Sequence, residues 1–447
     1  MIRFTPRLAR LLYFVTPALM LWQLAHTQDH PKFGILSNAQ MQQMLDAVET
    51  DIKEYYYDPG MHGVDLNKDF DGARRRIADA KSQNEGLLIL AGAVAALKDS
   101  HTRFSPPVAP YRVDYGWLMQ AIGDSACYVT GVRPDSDANA KGLKPGDQVV
   151  SINGITLVRE DLGYVEYGYR VFPQSGLHLV VKSPNAPERP LVIMAKIIPG
   201  QPVVRRSDFM TWLRSNHKQV NPSRFYRVSD QLLLWKLHDL MVDPSDLDEP
   251  LNKVRPFPNV VLDLRGNPGG QERALEKLVG AFFDHDVKIG DRKQRMKSEP
   301  WIAKSRGKKF FDGKLIVLVD SRSSSATEIF ARIVQLEKRG VVLGDRSSGA
   351  VMEAKYYVHA LPLDVTNVTQ YGVEITIGDL IMGDGKSLER VGVTPDERIT
   401  PSVSDLAAGR DPVLARAAEI AGAKMTPEGA GKVFPLEWPK EQMPEFE

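Results

Sequence analysis

Hydrophobic residues recur at helical spacing in the first part of the chain, from about residue 37 to residue 97. Between residues 41 and 48 they follow one another at three- and four-residue intervals: Met41, Met44, Leu45 and Val48. This spacing is typical of an amphipathic helix. The segment Leu87–Leu97 is apolar and rich in alanine and predicts another helix. The pattern therefore predicts a small helical N-terminal domain over residues 31–112.

From about Val113 to Lys196 the pattern changes to short strands separated by turns. The predicted strands are Cys127–Val132, Gln148–Ile152, Leu177–Val181 and Leu191–Lys196. The Asn153-Gly154 dipeptide is a strong signal for a tight hairpin turn. We therefore predict a β domain over residues 113–200, and a polar connection over residues 199–229.

In the next part of the chain, short buried strands alternate with helices. The predicted strands are Asn259–Leu264, Leu315–Asp320 and Gly340–Gly344, and the predicted helices are Glu272–Phe283, Ala326–Lys338 and Asp411–Ala423. Such alternation is typical of a largely parallel α/β core. We place this core at residues 201–425 and expect the Pro- and Glu-rich tail at residues 426–447 to be loose.

Composition excludes several classes of protein. The 447 residues are 43% hydrophobic and 25% charged, as in ordinary globular domains. Lys and Arg total 57 against 56 for Asp and Glu, so no basic surface for nucleic acid is expected. Cys127 is the sole cysteine, which excludes an internal disulfide and a Cys-rich metal site. Because it alternates within a predicted strand, we assign Cys127 to the core.

The N-terminus has the pattern of an export signal. Arg3, Arg7 and Arg10 precede an apolar run from Leu11 to Leu24. A basic segment followed by an apolar run of this length is typical of a signal peptide, assigned here to residues 1–30. Since the cleavage region is weak, an uncleaved anchor through residues 11–25 remains an alternative, and a buried helix is a third. We expect a periplasmic or secreted protein, membrane-anchored if the signal stays.

Two turns between strands and helices carry candidate chemistry. In Asp320–Glu328, Ser325 lies at the predicted N-terminus of a helix, where the next amide can face a developing negative charge. The alternative is a capping box formed by Ser325 and Glu328. In Leu262–Gly270, a glycine-rich turn follows a buried strand and can hold an anion with its amides, or can simply be a tight turn.

Taken together, three motifs resemble the C-terminal-processing (tail-specific) serine peptidase family, which includes the catalytic core of tricorn protease. The motifs are Asp263–Gly270, then Ser325–Glu328 about 55 residues later, then Gly344–Gly349. The resemblance implies Ser325 as nucleophile. It also implies an oxyanion hole formed by the amide of Gly269, or Gly270, and that of Ala326, and a crotonase-like core of ββα units. The expected fold class is α/β (α+β multidomain).

A second resemblance concerns the predicted β domain. Lys141–Asp147 and the strand after it are similar to PDZ modules of secreted proteases. Such modules add a peptide strand to a sheet edge and hold its terminal carboxylate with backbone amides. The implied capture segment consists of four consecutive residues, Tyr115, Gly116, Trp117 and Leu118.

One position departs from the processing branch of the family. The general-base lysine of that branch would follow Gly349, where this chain has Ala350. The nearest lysine is Lys355. The tricorn branch uses histidine, serine and glutamate instead, which implies His101 as base, with Ser100 and Glu389 as orienting residues. His101 would then take the serine proton and return it to the leaving amine.

These observations predict an exported serine endopeptidase that acts on unfolded or tail-presented polypeptides through an acyl-enzyme at Ser325. We expect no metal and no organic cofactor, and the oligomeric state stays open. The rival is a non-catalytic protein on the same fold that binds peptides or hydrophobic ligands. The missing lysine favours the rival, whereas the joint presence of Ser325, His101 and the Gly-Gly turn favours the enzyme.

Overall fold

A computed structural model describes residues 36–109, 111–199, 207–209, 223–365 and 367–438. The predicted export signal, the proposed anchor and most of the polar connection after residue 199 lie outside these ranges. Within them, no helix is both long enough and apolar enough to cross a membrane.

Three helices and a short strand form the N-terminal segment. They are α1 (Asn38–Tyr55), α2 (Leu66–Ala78), α3 (Gln83–Ala95) and β1 (Arg103–Ser105). Each helix begins at a polar cap, since Ser37, Asp65 and Ser82 accept hydrogen bonds from amides of the first turn. The third helix thus starts four residues before the predicted position, because Ser82 caps it.

The predicted β domain is a five-strand sheet with one additional short strand and two helices. The strands and helices of this region are β2 (Tyr111–Asp114), β3 (Trp117–Ile122), β4 (Ala126–Val132), α4 (Asp137–Ala140), β5 (Gln148–Ile152), β6 (Ile155–Thr156), α5 (Leu162–Val171), β7 (Gly176–Lys182), β8 (Glu188–Met194) and β9 (Lys196–Pro199). The sheet order is β3-β4-β5-β7-β8, with β6 on β5, so β3 lies at an edge. Strands β2 and β9 pair where the chain enters and leaves. Cys127 is fully buried in this core.

The large domain contains a six-strand sheet whose central strands are parallel. Its elements are β10 (Ser223–Ser229), β11 (Leu232–Leu237), α6 (Asp248–Val254), β12 (Asn259–Asp263), α7 (Glu272–Phe282), β15 (Lys314–Val319), α8 (Ala326–Leu336), β16 (Gly340–Gly344) and β19 (Glu397–Arg398). The order is β10-β11-β12-β15-β16-β19, and only β10 runs antiparallel to its neighbour. Strand β10 occupies Ser223–Ser229, so the expectation that the polar connection extends to residue 229 is wrong. This strand pairs with β11 at the edge of the sheet.

A second, antiparallel sheet was not predicted from the sequence. It consists of β1, β13 (Val287–Gln294), β14 (Ser298–Ala303), β17 (Met352–Pro362) and β18 (Val368–Met382). The 15-residue β18 joins them, since it pairs with β1, β13 and β17. Its sequence hides a buried strand because Thr369, Gln370 and Thr376 are buried polar residues.

Helices α1–α3 have no separate core. Their apolar faces share one hydrophobic cluster with Phe104 of β1 and with Tyr371, Val373 and Ile375 of β18. The N-terminal helices therefore cover one face of the antiparallel sheet, and they hold β1 and the residues just before it against the large domain.

The C-terminal segment is packed rather than loose as far as the structure describes it. Its helices are α9 (Val403–Ala408), α10 (Pro412–Ile420) and α11 (Pro427–Ala430). Beyond α11, Val433 and Phe434 pack against the cluster under the parallel sheet. The Arg133 guanidinium lies 5.0 Å from the ring centre of Trp438. For these residues the expectation of a loose tail is wrong, because scattered aromatic residues anchor it.

A buried ion pair joins the small β domain to the large domain. Arg159 Nη1 lies 2.8 Å from Asp345 Oδ2, and both side chains are almost fully buried. Arg159 also donates to the carbonyl oxygens of Gly123 and Arg346. Asp345 in addition accepts from Arg398 Nε at 3.1 Å. The pair fixes how the two domains meet.

We expect Arg159→Ala to lower the free energy of unfolding by about 3 kcal/mol, because it removes one partner of a buried charge pair. Urea unfolding followed by tryptophan fluorescence measures this loss. Arg346→Ala is the matched control, since its exposed pair with Glu160 spans 3.6 Å and should cost under about 1 kcal/mol. Equal losses in the two variants would contradict the assignment.

Candidate active site

The loop between β15 and α8 is held by one carboxylate. Asp320 Oδ1 accepts hydrogen bonds from the amides of Gly266 at 2.8 Å, Arg322 at 3.0 Å and Ser323 at 3.1 Å. The first of these bonds connects the loop to the glycine-rich turn after β12. Aspartate favours such turns because its short side chain bonds to nearby backbone amides. The two turns predicted from the sequence are therefore adjacent in space.

Ser325 adopts an unusual backbone conformation at the start of α8. Its φ is 55° and its ψ is −124°, in a region that residues with a Cβ rarely occupy. Its amide donates to Ala350 O at 2.8 Å and to Glu328 Oε2 at 3.0 Å. Ser325 and Glu328 form the capping box given above as the alternative, with the Glu328 carboxylate accepting from the Ser325 amide. The capping box does not exclude a role for the Ser325 hydroxyl as a nucleophile, because a hydroxyl that accepts a hydrogen bond can still donate its proton.

Glu328 connects the serine turn to the loop after β16. Its fully buried carboxylate accepts from Ser325 N, and from Ser347 Oγ at 2.6 Å, Gly349 N at 2.7 Å and Ala350 N at 2.9 Å. Burial raises its pKa to about 7, and these hydrogen bonds oppose the rise. Glu328 therefore acts on Ser325 through the backbone.

The glycine-rich turn lies directly against Ser325. Gly269 has φ +91°, and a Cβ there would lie 2.8 Å from Ser325 Cβ and 2.9 Å from Ala326 N. At Gly270 a Cβ would lie 2.0 Å from the carbonyl carbon of Leu240. Both positions require glycine because the backbones approach too closely for any side chain.

The amides of this region differ in what they bind. Gly269 N donates to Asn267 Oδ1 at 2.8 Å. Gly270 N and Ala326 N, in contrast, have no hydrogen-bond partner within the described part of the chain. Of the residues suggested by the resemblance, Gly270 and Ala326 thus present the unpaired donors that an oxyanion requires.

Three residues distant in sequence form a hydrogen-bonded series. Ser100 Oγ lies 2.6 Å from His101 Nδ1 and donates to Glu389 Oε2 at 2.8 Å, across 289 positions of the chain. Ser100 N donates to Glu389 Oε1 at 2.9 Å. The structure thus brings together Ser100, His101 and Glu389.

This series determines the tautomer of His101. A carboxylate can only accept a hydrogen bond, so the Ser100 hydroxyl donates its hydrogen bond to Glu389. The Ser100 oxygen then accepts the hydrogen bond that it shares with His101 Nδ1. His101 Nδ1 must therefore carry the proton, and Nε2 carries the free lone pair. A histidine in this tautomer can accept a proton at Nε2.

The electrostatics keep His101 neutral. Burial and then the positive charge of Arg103 lower its pKa to about 4, although Asp99 acts in the opposite direction. Buried Asp99 holds the local backbone, since its Oδ1 accepts from His101 N at 2.9 Å and Thr102 N at 2.6 Å. Burial also raises the pKa of Glu389.

The serine turn and the histidine series meet at Ala350 and Val351. Ala350 O accepts from Ser325 N, and Val351 N donates to Glu389 Oε2 at 2.9 Å. Adjacent residues of one strand end therefore bind both halves of the predicted site. Lys355 lies exposed on β17 opposite Ile375 and makes no contact with either half among the described residues.

Buried ion pairs lie at the start of the glycine-rich turn. Asp263 lies at the end of β12 and binds Arg265 Nη2 at 2.8 Å and Lys236 Nζ at 3.2 Å. Burial opposes its charge, but Arg265 and Lys236 outweigh it and hold the pKa of Asp263 well below its usual range. Arg265 also binds Asp411 at 2.7 Å. In the sequence, Asp263 and Arg265 were recognised only as members of a motif, and their ion pair was not predicted.

The predicted capture segment lies at the start of β3. Tyr115 Oη donates to Gln174 O at 2.9 Å and accepts from Gln174 N at 3.0 Å. Gly116 has φ +71°, Trp117 packs on the domain core, and Leu118 is 37% exposed.

The edge of β3 that faces away from β4 accepts hydrogen bonds from the loop between β15 and α8. Arg322 Nε donates to Met119 O at 3.0 Å, and Ser321 Oγ donates to Ala121 O at 2.5 Å. Arg322 Nη2 also binds Glu166 Oε1 of α5 at 2.6 Å. Sequence reasoning missed this contact, because nothing local in the loop signals a side chain that binds another domain.

Comparisons with known proteins agree with this architecture. Residues 235–399 match the family described as Peptidase family S41, and residues 114–160 match the PDZ domain. The first match spans most of the large domain, including both turns of the candidate site, and the second covers the first part of the β domain. This confirms the predicted resemblance to C-terminal-processing serine peptidases and the α/β multidomain fold class.

Named relatives include three processing proteases. The carboxyl-terminal-processing protease of Picosynechococcus is 24% identical over 59% of this chain and 58% of its own length. The probable CtpA-like serine protease of Staphylococcus haemolyticus is 25% identical over 71% and 61%. The chloroplastic carboxyl-terminal-processing peptidase 1 of Arabidopsis thaliana is 23% identical over 72% and 64%. The chain thus spans about three fifths of the length of these relatives.

Solved structures show the same fold. Mature CPAF superposes with a TM-score of 0.61 at 13% identity and covers 83% of this chain and 94% of its own. The photosystem II D1 C-terminal processing protease has a TM-score of 0.51 at 19% identity, with 81% and 93% covered. In the residues described here, no group of three or more His, Cys, Asp or Glu side chains could hold a metal ion.

We expect Gly269→Ala to lower the free energy of unfolding by at least about 2 kcal/mol more than Gly266→Ala, measured by urea unfolding. Both glycines have positive φ, which costs alanine about 1 kcal/mol at either position. Only at Gly269 does the added methyl collide with neighbouring backbone, whereas around Gly266 nothing lies within 4 Å. Similar losses at both positions would show that the turn does not lie against Ser325.

Proposed function

We propose that the chain is a serine endopeptidase that hydrolyses peptide bonds through an acyl-enzyme at Ser325, with His101 as the general base. The observation that carries this proposal is the hydrogen-bonded series of Glu389, Ser100 and His101, which leaves Nε2 of the imidazole unprotonated. The missing lysine is then no obstacle, because the series supplies another base and is bonded to this loop through Val351 N and Glu389.

The proposed reaction begins when Ser325 Oγ attacks the scissile carbonyl carbon and His101 Nε2 takes the hydroxyl proton. The carbonyl oxygen becomes an oxyanion and accepts from the amides of Gly270 and Ala326. The C–N bond then breaks, and His101 returns the proton to the leaving amine. Water, activated by His101 in the same way, hydrolyses the acyl-enzyme and restores Ser325.

Ser100 and Glu389 are positioning residues in this scheme. They fix the His101 tautomer, and Glu389 supplies negative charge when the imidazole becomes positive. The low pKa of His101 in the resting site then rises in the transition state, because the oxyanion and the imidazolium form together. Glu328 holds the Ser325 amide and takes no proton in the reaction.

We further propose that the substrate is an unfolded or tail-presented polypeptide and that the protein is exported. The PDZ domain supports the first point, since such domains bind extended peptides. The names of the relatives describe them as carboxyl-terminal-processing proteases. The basic and apolar N-terminal pattern supports export to the periplasm or beyond, with membrane attachment through residues 11–25 if the signal is retained.

We expect Ser325→Ala to abolish cleavage of an unfolded protein substrate and His101→Ala to lower kcat/KM by about 10³-fold or more, because each removes a reacting group. Gel analysis of casein digestion, followed by kinetics on a quenched-fluorescence peptide, measures both. Glu389→Gln should also reduce kcat, with KM little changed.

Lys355→Ala is the matched control and should retain wild-type kcat/KM. Loss of activity in Lys355→Ala with full activity in His101→Ala would move the base to the lysine. If folded wild type binds peptide without cleaving it, and Ser325→Ala binds the peptide equally well, the result favours the non-catalytic rival.

The pH dependence of kcat/KM should follow His101. Because the pKa of His101 in the substrate-free protein is lowered to about 4, its imidazole stays neutral as the pH falls from 7 to 5. We therefore expect a constant kcat/KM over that interval and a tenfold decrease per pH unit below about pH 4. Circular dichroism at each pH controls for unfolding. An acid limb centred near pH 6.5 would show a histidine outside this buried series.

A further inference from the structure

Where strand β1 meets helix α5, two arginines lie without an ion pair to any described residue. Arg103 lies on β1, two residues after His101, and Arg170 lies near the end of α5. Among the described residues, neither guanidinium forms an ion pair or a hydrogen bond. This distinguishes them from Arg159, Arg265 and Arg322, which all bind carboxylates.

Arg103 faces the same side as His101. Thr102 and Phe104 are buried, while His101, Arg103 and Ser105 are half-buried, so the alternation places the last three on the open face. Consistent with this, Arg103 is one of the groups that lower the pKa of His101. A side chain beside Arg103 is therefore near the proposed base.

Helix α5 packs against β1. Tyr167 Oη donates to Phe104 O at 2.7 Å, and the Arg103 guanidinium lies 5.8 Å from the Tyr167 ring centre. Arg170 follows one helical turn later, and its side chain reaches solvent. Desolvation by the protein around the guanidinium, and then the positive charge of Arg103, lower the pKa of Arg170. The two positive charges are thus close enough to interact.

The acidic residues nearby neutralise the two arginines only in part. Glu374 lies directly opposite Arg103 in the strand register. Burial raises the pKa of Glu374 to about 7 although Arg103 and Arg170 oppose the rise, so this carboxyl is only partly charged at neutral pH. Glu166 on α5 binds Arg322. Two unpaired guanidinium groups at close range attract an anion, and arginine suits a carboxylate in particular.

We propose that Arg103 and Arg170 form a subsite that binds a carboxylate of the polypeptide substrate within a few residues of the scissile bond. This rests on the proposed peptidase function and specifies its substrate. The carboxylate can be an Asp or Glu side chain or the terminal carboxylate of the chain. An extended peptide advances about 3.4 Å per residue, so a residue one to three positions from the bond at Ser325 can reach the two arginines near His101.

The test uses quenched-fluorescence peptides of one parent sequence whose cleavage position is located by mass spectrometry. One set places Glu or Gln at each of the three positions on either side of that bond. A second pair ends in a free carboxylate or in an amide. At pH 7, where His101 is neutral, wild type should prefer the carboxylate form of one pair by about ten- to a hundredfold in kcat/KM. The pair that shows the preference identifies the source of the carboxylate.

Arg103→Gln and Arg170→Gln should each remove most of this preference, so that the carboxylate peptide and its uncharged partner are cleaved with similar kcat/KM. Arg170→Glu should shift the preference toward a peptide with Lys at the same position. Arg75→Gln, on an exposed position of α2, is the matched control and should keep the wild-type preference. No preference in wild type at any position, or a preference that persists in the Arg103→Gln/Arg170→Gln double variant, would overturn the proposal.

A measurement of peptide binding distinguishes failure of the subsite proposal from failure of the proposed peptidase function. Fluorescence anisotropy with Ser325→Ala, and with Ser325→Ala combined with Arg103→Gln, measures peptide affinity without turnover. A carboxylate preference of about tenfold that depends on Arg103 supports the subsite even if the nucleophile is assigned wrongly. Cleavage by Ser325→Ala would refute the proposed mechanism and leave the subsite in place.

Discussion

The buried carboxylate of Glu328 is the interaction on which the candidate site depends. It accepts from the Ser325 amide, from the Gly349 and Ala350 amides and from Ser347 Oγ, and it is fully buried. Without this acceptor, the Gly349 and Ala350 amides and the Ser347 hydroxyl would lose their partner, at a cost of about 1–3 kcal/mol each, and the Ser325 amide would keep only Ala350 O. That network stabilises the unusual φ of Ser325, which an isolated turn would not maintain. It also fixes Ala350 and Val351, and through Val351 the position of Glu389.

The same network explains how the site accommodates Ala350. Both backbone groups of this residue are used, since its amide donates to Glu328 and its carbonyl oxygen accepts from Ser325. Its methyl group brings no proton acceptor. The base in our proposal comes instead from the segment before β1, which the N-terminal helices hold against β18. The helical segment therefore contributes to the site as well as to the core.

Local patterns in the sequence were sufficient for much of the fold. Apolar β-branched runs gave β12, β15 and β16, and the Ser325–Glu328 spacing gave the start of α8. The pairing of Ser100 with Glu389 spans 289 positions, so no local pattern contains it, and only the family resemblance indicated these residues. Strand β18 was missed because its buried polar residues break the hydrophobic pattern. Arg103 and Arg170 were also missed, since an unpaired charge is defined by what surrounds it in space.

The contact between Arg322 and the edge of β3 has a thermodynamic consequence. A peptide that adds to β3 as a strand needs Met119 O and Ala121 O, which now accept from Arg322 and Ser321. These donors stand three and four positions before Ser325. Occupation of the PDZ edge and the conformation of the serine turn are thus linked equilibria. The coupling is reciprocal. If a bound peptide changes the conformational equilibrium of the serine turn by some factor, a ligand that fixes the turn changes the affinity for the peptide by the same factor.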